Sequence, residues 1–126
     1  MIDQELYDTL FQLSQSLDYP TYDSPPQKNT KFPVVVIGHT HLLPIPNKSQ
    51  LIGRITATIH TWTLADNRSQ ASTIGNRLYQ QAINLKQTKS YRLNSVLQGC
   101  QTRLLIDDST DILLWHGIIE LEYQFY

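Results

Sequence analysis

The chain has 126 residues, of which 40% are hydrophobic and 17% charged, and its formal net charge is −1. This composition fits one globular domain and excludes a disordered chain, and the near-neutral charge argues against a general nucleic-acid binder. No apolar run reaches the roughly 18 residues that a membrane helix needs, and the first residues show no basic flank or cleavage site. We therefore expect no membrane partner and a protein made and used in a cytoplasm. Cys100 is the only cysteine, so an internal disulfide is excluded.

The charges fall into three blocks along the chain. Residues 1–27 carry five acids and no base, residues 28–103 carry all ten bases and one acid, and residues 104–126 carry five acids and no base. Either the fold interleaves these blocks into ordinary surface ion pairs, or the molecule has one acidic and one basic flank. Unlike flanks attract each other head to tail, and a head-to-tail contact that closes makes a ring.

The first predicted element is an amphipathic helix that ends before Pro20. Its apolar residues recur at helical spacing and form one stripe: Ile2, Leu6, Leu10, Leu13 and Leu17. Asp3 and Glu5 lie in the first turn, where the helix dipole favours acids. A connector rich in proline and polar residues follows over residues 19–31, in which Tyr22 could form a short edge strand.

A hairpin of two long strands comes next. Residues 32–42 predict a buried strand, because residues 34–37 are apolar on both faces. Residues 52–63 alternate between apolar and polar and predict the partner strand. The intervening loop, residues 43–50, contains two prolines that break a strand ladder. We expect it to project from the sheet, which makes four of its residues a candidate assembly interface: Leu43, Pro44, Ile45 and Pro46.

The second half of the chain predicts another helix and a closing hairpin. Asp66 or Asn67 can cap the helix, and its apolar stripe is Ala71, Ile74, Leu78, Ala82 and Leu85. Gly75 lies beside that stripe and is interpreted as a point where the helix approaches the sheet closely. Residues 86–100 are ambiguous, with a hint of a short strand. Residues 103–106 and 112–125 form the hairpin strands, and one face of the second strand turns from apolar to acidic. The whole chain, residues 1–126, is thus one α+β domain, with two helices packed on a mostly antiparallel sheet of about four to five strands.

No residue cluster points to catalysis. His39 and His41 are two residues apart and His60 could join them at a metal, but zinc sites normally need four ligands and the sequence offers no fourth nearby. The turn at residues 107–111 carries calcium-like oxygens without the EF-hand pattern, so a plain Asx turn is the better interpretation. The sequence contains no phosphate-binding loop and no nucleophile motif. We expect no enzyme activity, no metal and no cofactor.

The order of the elements resembles a known family of assembly proteins. The resemblance rests on the segment Tyr22-Asp23-Ser24-Pro25-Pro26, the strand Phe32-Pro33-Val34-Val35-Val36-Ile37-Gly38 and the strand end Thr58-Ile59-His60-Thr61-Trp62. Together with the flanking helices and the closing hairpin, the chain resembles the tail terminator, or tail completion, proteins of long-tailed (siphovirus-type) bacteriophages over nearly its whole length.

The resemblance implies a virion protein of the tail and neck, assembled in the host cytoplasm. Members form a ring, typically of six copies, at the head-proximal end of the tail tube, where the ring stops tube polymerisation and joins the head. The implied partners are further copies of the chain, the tail tube protein and a head completion or connector protein, with DNA only as passing cargo. The family has no catalytic residues.

One set of acids is a candidate lining for such a ring. An acidic lumen repels DNA phosphates, so acids of the last hairpin are expected to face the channel or the seam between subunits: Asp107, Asp108, Asp111, Glu120 and Glu122. Two alternatives stay open. Another head–tail connector or neck protein would share size and assembly habit, and a small ligand-binding domain would need a pocket with converging polar groups.

Overall fold

Two helices lie on one face of a six-stranded sheet in the computed structural model, which describes residues 1–27, 29–44 and 53–126. The helices are α1 (Ile2–Ser16) and α2 (Arg68–Ile83). The strands are β1 (Thr21–Tyr22), β2 (Val34–Pro44), β3 (Gly53–Leu64), β4 (Leu93–Ser95), β5 (Gln101–Asp107) and β6 (Leu114–Phe125), and a short 3-10 helix spans Leu97–Gly99. The predicted α+β class is confirmed, and the sheet is slightly larger than the predicted four to five strands.

The sheet is built around β3 and β6, which pair along their whole length. Their antiparallel register runs from Gly53 opposite Phe125 to Leu64 opposite Leu114. β2 pairs with the other side of β3, and the short β1 lies parallel to β2. On the far side of β6, β5 and β4 follow one another along the same edge. One end of the sheet therefore holds the β5–β6 turn, and the opposite end holds the connection from β2 to β3.

The main core lies between the helices and one face of the sheet. Odd-numbered side chains of β3 and β6 point to this face, as strand alternation requires. They meet the buried stripe of each helix, and the large side chains of this core are less than 5% exposed: Ile2, Leu6, Leu10, Ile55, Ile59, Ile74, Leu78, Ile119, Leu121, Tyr123 and Phe125. Each such side chain contributes about 1.5–3 kcal/mol through burial. The predicted helix stripes are confirmed except at their ends: Leu13, Leu17 and Leu85 are only partly buried, and Leu17 and Leu85 lie beyond the last residues of α1 and α2.

The opposite face, which we call the open face, carries a smaller apolar cluster near the β5–β6 turn. Val34, Val36, Trp62 and Leu114 are buried there and Phe32 packs against them. Because Val35 and Ile37 face the helices, residues 34–37 are buried on both sides, as predicted. Beyond Ile37 a β-bulge shifts the register, so that Gly38 and His39 stand opposite Thr58.

The predicted loop between β2 and β3 begins later than expected. Leu43 and Pro44 belong to β2, where they pair with Arg54 and Gly53. The sequence prediction was wrong here because proline is tolerated at the end of a strand, where little of the ladder remains to be lost. Ile45 and Pro46 lie outside the described residues.

Two further details of the helices differ from or refine the predictions. Asn67 is the cap of α2, and its Oδ1 accepts a hydrogen bond from the Gln70 amide at 3.1 Å. Gly75 is not a close-approach site, because the nearest atom to a Cβ built there is Thr102 Oγ1 at 3.9 Å. Neither described helix is long and apolar enough to cross a membrane.

Candidate functional site

Three rings stack on the open face, beside the smaller apolar cluster. Trp62 of β3 stands opposite His116 of β6, and their ring centroids are 4.4 Å apart with planes 9° from parallel. His60, two residues before Trp62, packs against both rings, with its centroid 5.1 Å from that of His116 and 5.6 Å from that of Trp62. The imidazoles are also hydrogen bonded, with 2.9 Å between His60 Nδ1 and His116 Nε2. We call these three residues the ring stack.

The β5–β6 turn is tied to the ring stack through one carboxylate. Trp62 Nε1 donates to Asp107 Oδ2 at 3.1 Å. Asp107 Oδ1 accepts from the Ser109 amide and the Ser109 hydroxyl at 2.9 and 2.6 Å, which is the predicted Asx turn. The Ser109 hydrogen bonds, followed by that from Trp62, hold the pKa of Asp107 below its ordinary value. The carboxylate is thus charged and fixed in place.

The two stacked histidines are held in their neutral forms near neutral pH. Burial is the main cause that lowers the pKa of both rings. His39 lowers the pKa of His60 further, and His60 and Arg103 lower that of His116 against the opposing effect of Asp107. A pair of neutral imidazoles fits the observed hydrogen bond, because one ring can donate while the other accepts.

A glycine leaves the space that His60 occupies. A Cβ built on Gly38 would lie 3.0 Å from His60 Cδ2 and 3.1 Å from the Thr58 carbonyl oxygen. A larger residue would displace the imidazole from the position in which it meets His116. The glycine of the Val-Val-Val-Ile-Gly strand is therefore explained by close packing across the bulge.

A groove of about 600 Å³ opens between the ring stack, the β5–β6 turn and the proline-rich connector. Its lining on the sheet side is apolar and comes from Phe32, Trp62 and Leu114. The connector contributes Pro25, Pro26, Gln27, Asn29 and Thr30, and the turn contributes Asp107, Ser109, Thr110, Asp111 and Ile112. Two carboxylates and an apolar floor thus face the same space.

Exposed apolar side chains gather at the same end of the sheet as the groove. Five of them are 40–50% exposed, and all lie in or beside the β5–β6 turn: Leu64, Leu105, Ile106, Ile112 and Leu113. Leu64 is brought there because it pairs with Leu114, and the Leu113 carbonyl accepts from the Ala65 amide. We call these five residues the end patch.

The predicted acidic set does not form a single cluster. Asp107, Asp108 and Asp111 lie at the β5–β6 turn, whereas Glu120 and Glu122 lie about 20 Å or more further along β6. Glu120 pairs with Arg103 at 3.3 Å and Glu122 with Arg54 at 3.2 Å. Charges from the basic and acidic blocks are therefore interleaved at these two positions. Leu43 pairs with Arg54, at the opposite end of the sheet from the turn acids.

The structure does not bring the predicted histidines together as a metal site. Among the described residues, no three His, Cys, Asp or Glu side chains converge as metal ligands. His60 bonds to His116 instead of joining His39 and His41. Sequence reasoning missed the pairing of His60 with His116, because this pairing depends on the register between β3 and β6. The shared strand face of His60 and Trp62 was the one signal for the ring stack.

No protein-family model and no curated protein sequence matches the chain.

Proposed function

We propose that the chain is a structural protein that assembles head to tail into a ring, as tail terminators do at the head-proximal end of a phage tail tube. In this role the ring stops tube polymerisation and offers the joining surface for the head. The observation that carries the proposal is the end patch, in which half of the ten large apolar side chains found exposed in the described residues gather at one end of the sheet.

An exposed apolar cluster of this kind favours association. Scattered exposed leucines are normal in monomeric proteins, but several at one end of a sheet mark an interaction surface. The opposite end carries different residues, including Leu42, Leu43 and the Arg54–Glu122 ion pair. A contact between unlike ends is heterologous, and it gives a closed ring when the rotation between neighbours closes.

The kind of ring is proposed from the resemblance together with the fold. The segments at residues 22–26, 32–38 and 58–62, on which the resemblance rests, fall on β1 and its connector, on β2 and on β3. The arrangement supports a virion protein whose partners are its own copies, the tail tube protein and a head completion or connector protein. DNA would pass through the lumen as cargo.

Two other functions have specific support. The end patch serves another head–tail connector or neck protein equally well. The groove of about 600 Å³, with an apolar floor and two carboxylates, favours a small ligand-binding domain as a second candidate.

Solution mass and negative-stain images test the assembly. We expect rings from the wild-type chain, and folded monomers with an unchanged far-UV circular dichroism spectrum from Ile106→Lys, which places a charge in the end patch. Leu97→Lys is the matched control, because Leu97 is 59% exposed and lies outside the patch. Capping is tested by adding the rings to the polymerising tail tube protein encoded with this chain, where shorter tubes are expected. A wild-type chain that stays monomeric at high concentration would overturn the proposal.

A further inference from the structure

We propose that the groove binds the segment Ile45-Pro46-Asn47-Lys48 of a second copy of the chain. The inference deepens the proposed function and rests on its head-to-tail association. It names the surface that receives a neighbouring subunit and the part of that subunit which enters it.

The chemistry of the groove selects an apolar occupant with a positive charge. Phe32, Trp62 and Leu114 supply an aromatic and aliphatic floor, while Asp107 and Asp111 supply negative charge at the turn. The described lining residues include no lysine or arginine. An isoleucine or proline on the floor and an ammonium group at the rim would complement both features.

The segment at residues 45–48 carries this combination. Ile45 stands between two prolines, and Lys48 follows three residues later. Proline restricts the backbone before binding, so less conformational entropy is lost when such a segment docks in an aromatic groove. The segment belongs to the basic block of the chain, whereas Asp107 and Asp111 belong to the final acidic block.

The segment cannot reach the groove of its own subunit. It follows Pro44, which pairs with Gly53, whereas the groove lies beside Trp62, nine positions along β3. Nine strand residues span about 30 Å. Eight residues join Pro44 to Gly53, and a chain of eight residues that leaves and returns to the same end of a sheet can span at most about 14 Å, less than half of that distance. The occupant must therefore come from another copy.

Docking in this way joins unlike ends of successive subunits. Each copy offers its groove at the β5–β6 turn and inserts its own segment into the next copy from the opposite end of the sheet. Every interface is then the same heterologous contact, which can close into a ring. Ile112 of the end patch lines the groove and would be covered by the incoming subunit.

A labelled peptide with the sequence of residues 42–50 tests the groove directly by fluorescence polarisation. The receptor is the full chain carrying Ile45→Asp, whose own segment no longer competes. We expect saturable binding, and no binding of a scrambled peptide. Asp111→Lys in the receptor should weaken binding about fivefold or more, because it replaces an attraction by a repulsion at the groove. Asp108→Lys makes the same charge change in the same turn but outside the groove lining, and it should leave the affinity unchanged.

Assembly of the full chain supplies the second readout. Asp111→Lys and Lys48→Glu should each weaken ring formation, and the two together should restore it, since the charges are exchanged. Equal binding of the scrambled peptide, equal effects of the Asp108 and Asp111 variants, or no restoration in the double variant would overturn the inference. If the wild-type chain forms rings but the peptide does not bind, the inference about the groove is overturned and the proposed function is not. If the peptide binds but the chain never forms rings, binding of the segment in the groove is supported and the proposed function is overturned.

Discussion

The ring stack shows how individual residues on the open face depend on their neighbours. His116 contacts both Trp62 and His60, and Asp107 fixes the indole of Trp62 from the turn. The imidazole pair requires at least one neutral ring, because two protonated histidines would both be donors. The charge state of these side chains is therefore coupled to the packing of the sheet face that lines the groove.

Acid should weaken the fold through this pair. Both histidines have a pKa below the ordinary 6.5 in the folded chain, mainly because of burial. As pH falls, the two histidines take up protons in the unfolded chain before they do so in the folded chain. The free energy of unfolding that they contribute is therefore fully present above about pH 6.5 and declines as pH drops toward their folded pKa values. We expect the denaturant midpoint to fall between pH 7.5 and pH 5, and to fall less in the double variant His60→Gln, His116→Gln. An identical decline in that variant would show that other groups cause it.

At the scale of elements, the packing of apolar stripes and a few side-chain hydrogen bonds hold the helices and strands together. The first turn of α1 anchors the segment between α2 and β4, because Glu5 accepts hydrogen bonds from the Thr88 hydroxyl and the Ser90 amide at 2.9 and 2.7 Å. Burial would raise the pKa of Glu5, but these hydrogen bonds outweigh it and the pKa is lowered. The Tyr123 hydroxyl similarly donates to the Ala82 carbonyl at 2.6 Å and joins β6 to the last turn of α2.

Two glycine substitutions should act in opposite directions. Gly75→Ala should stabilise the chain by about 0.5–1 kcal/mol, because the helix interior gains a better helix former and the nearest atom to its Cβ, Thr102 Oγ1 at 3.9 Å, is at ordinary contact distance. Gly117→Ala should destabilise it by about 1–3 kcal/mol, because its Cβ would collide with the Thr61 hydroxyl across the strand pair. Urea unfolding of both variants measures the difference. A destabilising Gly75→Ala would mean that α2 must approach β5 more closely than the structure shows.

At the scale of the whole molecule, the two ends of the sheet differ in chemistry. The β5–β6 turn end combines the groove, the end patch and three acids. The other end carries Leu42, Leu43 and an ion pair, followed by the proline-containing segment. This polarity along the strands is the property that head-to-tail association requires, and a two-fold dimer in solution would contradict it.

Glu120 and Glu122, the two acids of β6, allow a test of whether acids line the channel of the assembled ring. This test does not depend on the groove. Glu120→Lys should change the free energy of unfolding by less than about 1 kcal/mol, since its pair with Arg103 is solvent-exposed. If Glu120 faces the channel, rings of this variant should retain DNA, and if it lies in the seam, they should fail to form. Normal rings that neither bind DNA nor lose infectivity would show that Glu120 is ordinary surface.

Glu122 is the contrasting position. Its side chain is only 14% exposed, it pairs with Arg54, and it packs so closely over Gly99 that a Cβ there would meet Glu122 Cβ at 2.8 Å. Glu122 is therefore not a freely exposed surface acid. We expect Glu122→Lys to lower the denaturant midpoint more than Glu120→Lys does.

Local patterns in the sequence were enough to predict the elements and much of the core. The leucine stripe of α1, the cap and stripe of α2, and the two faces of β6 all follow from periodicities of 3.6 and 2, which depend on neighbours along the chain. The Asx turn at Asp107 was predictable for the same reason, because its hydrogen bonds join residues two apart. Strand ends were less predictable, as Leu43 and Pro44 show.

The candidate site was decided by tertiary structure alone. His60 and His116 are 56 residues apart, and only the register of β3 against β6 places their nitrogens 2.9 Å from each other. The groove needs the connector, β3 and the β5–β6 turn to meet at one corner, and no periodicity within a single segment encodes that meeting. The sequence by itself therefore determined the α+β class and the residues that face inward. The pairing of the strands determined which polar residues share the open face, and that pairing depends on contacts between distant segments.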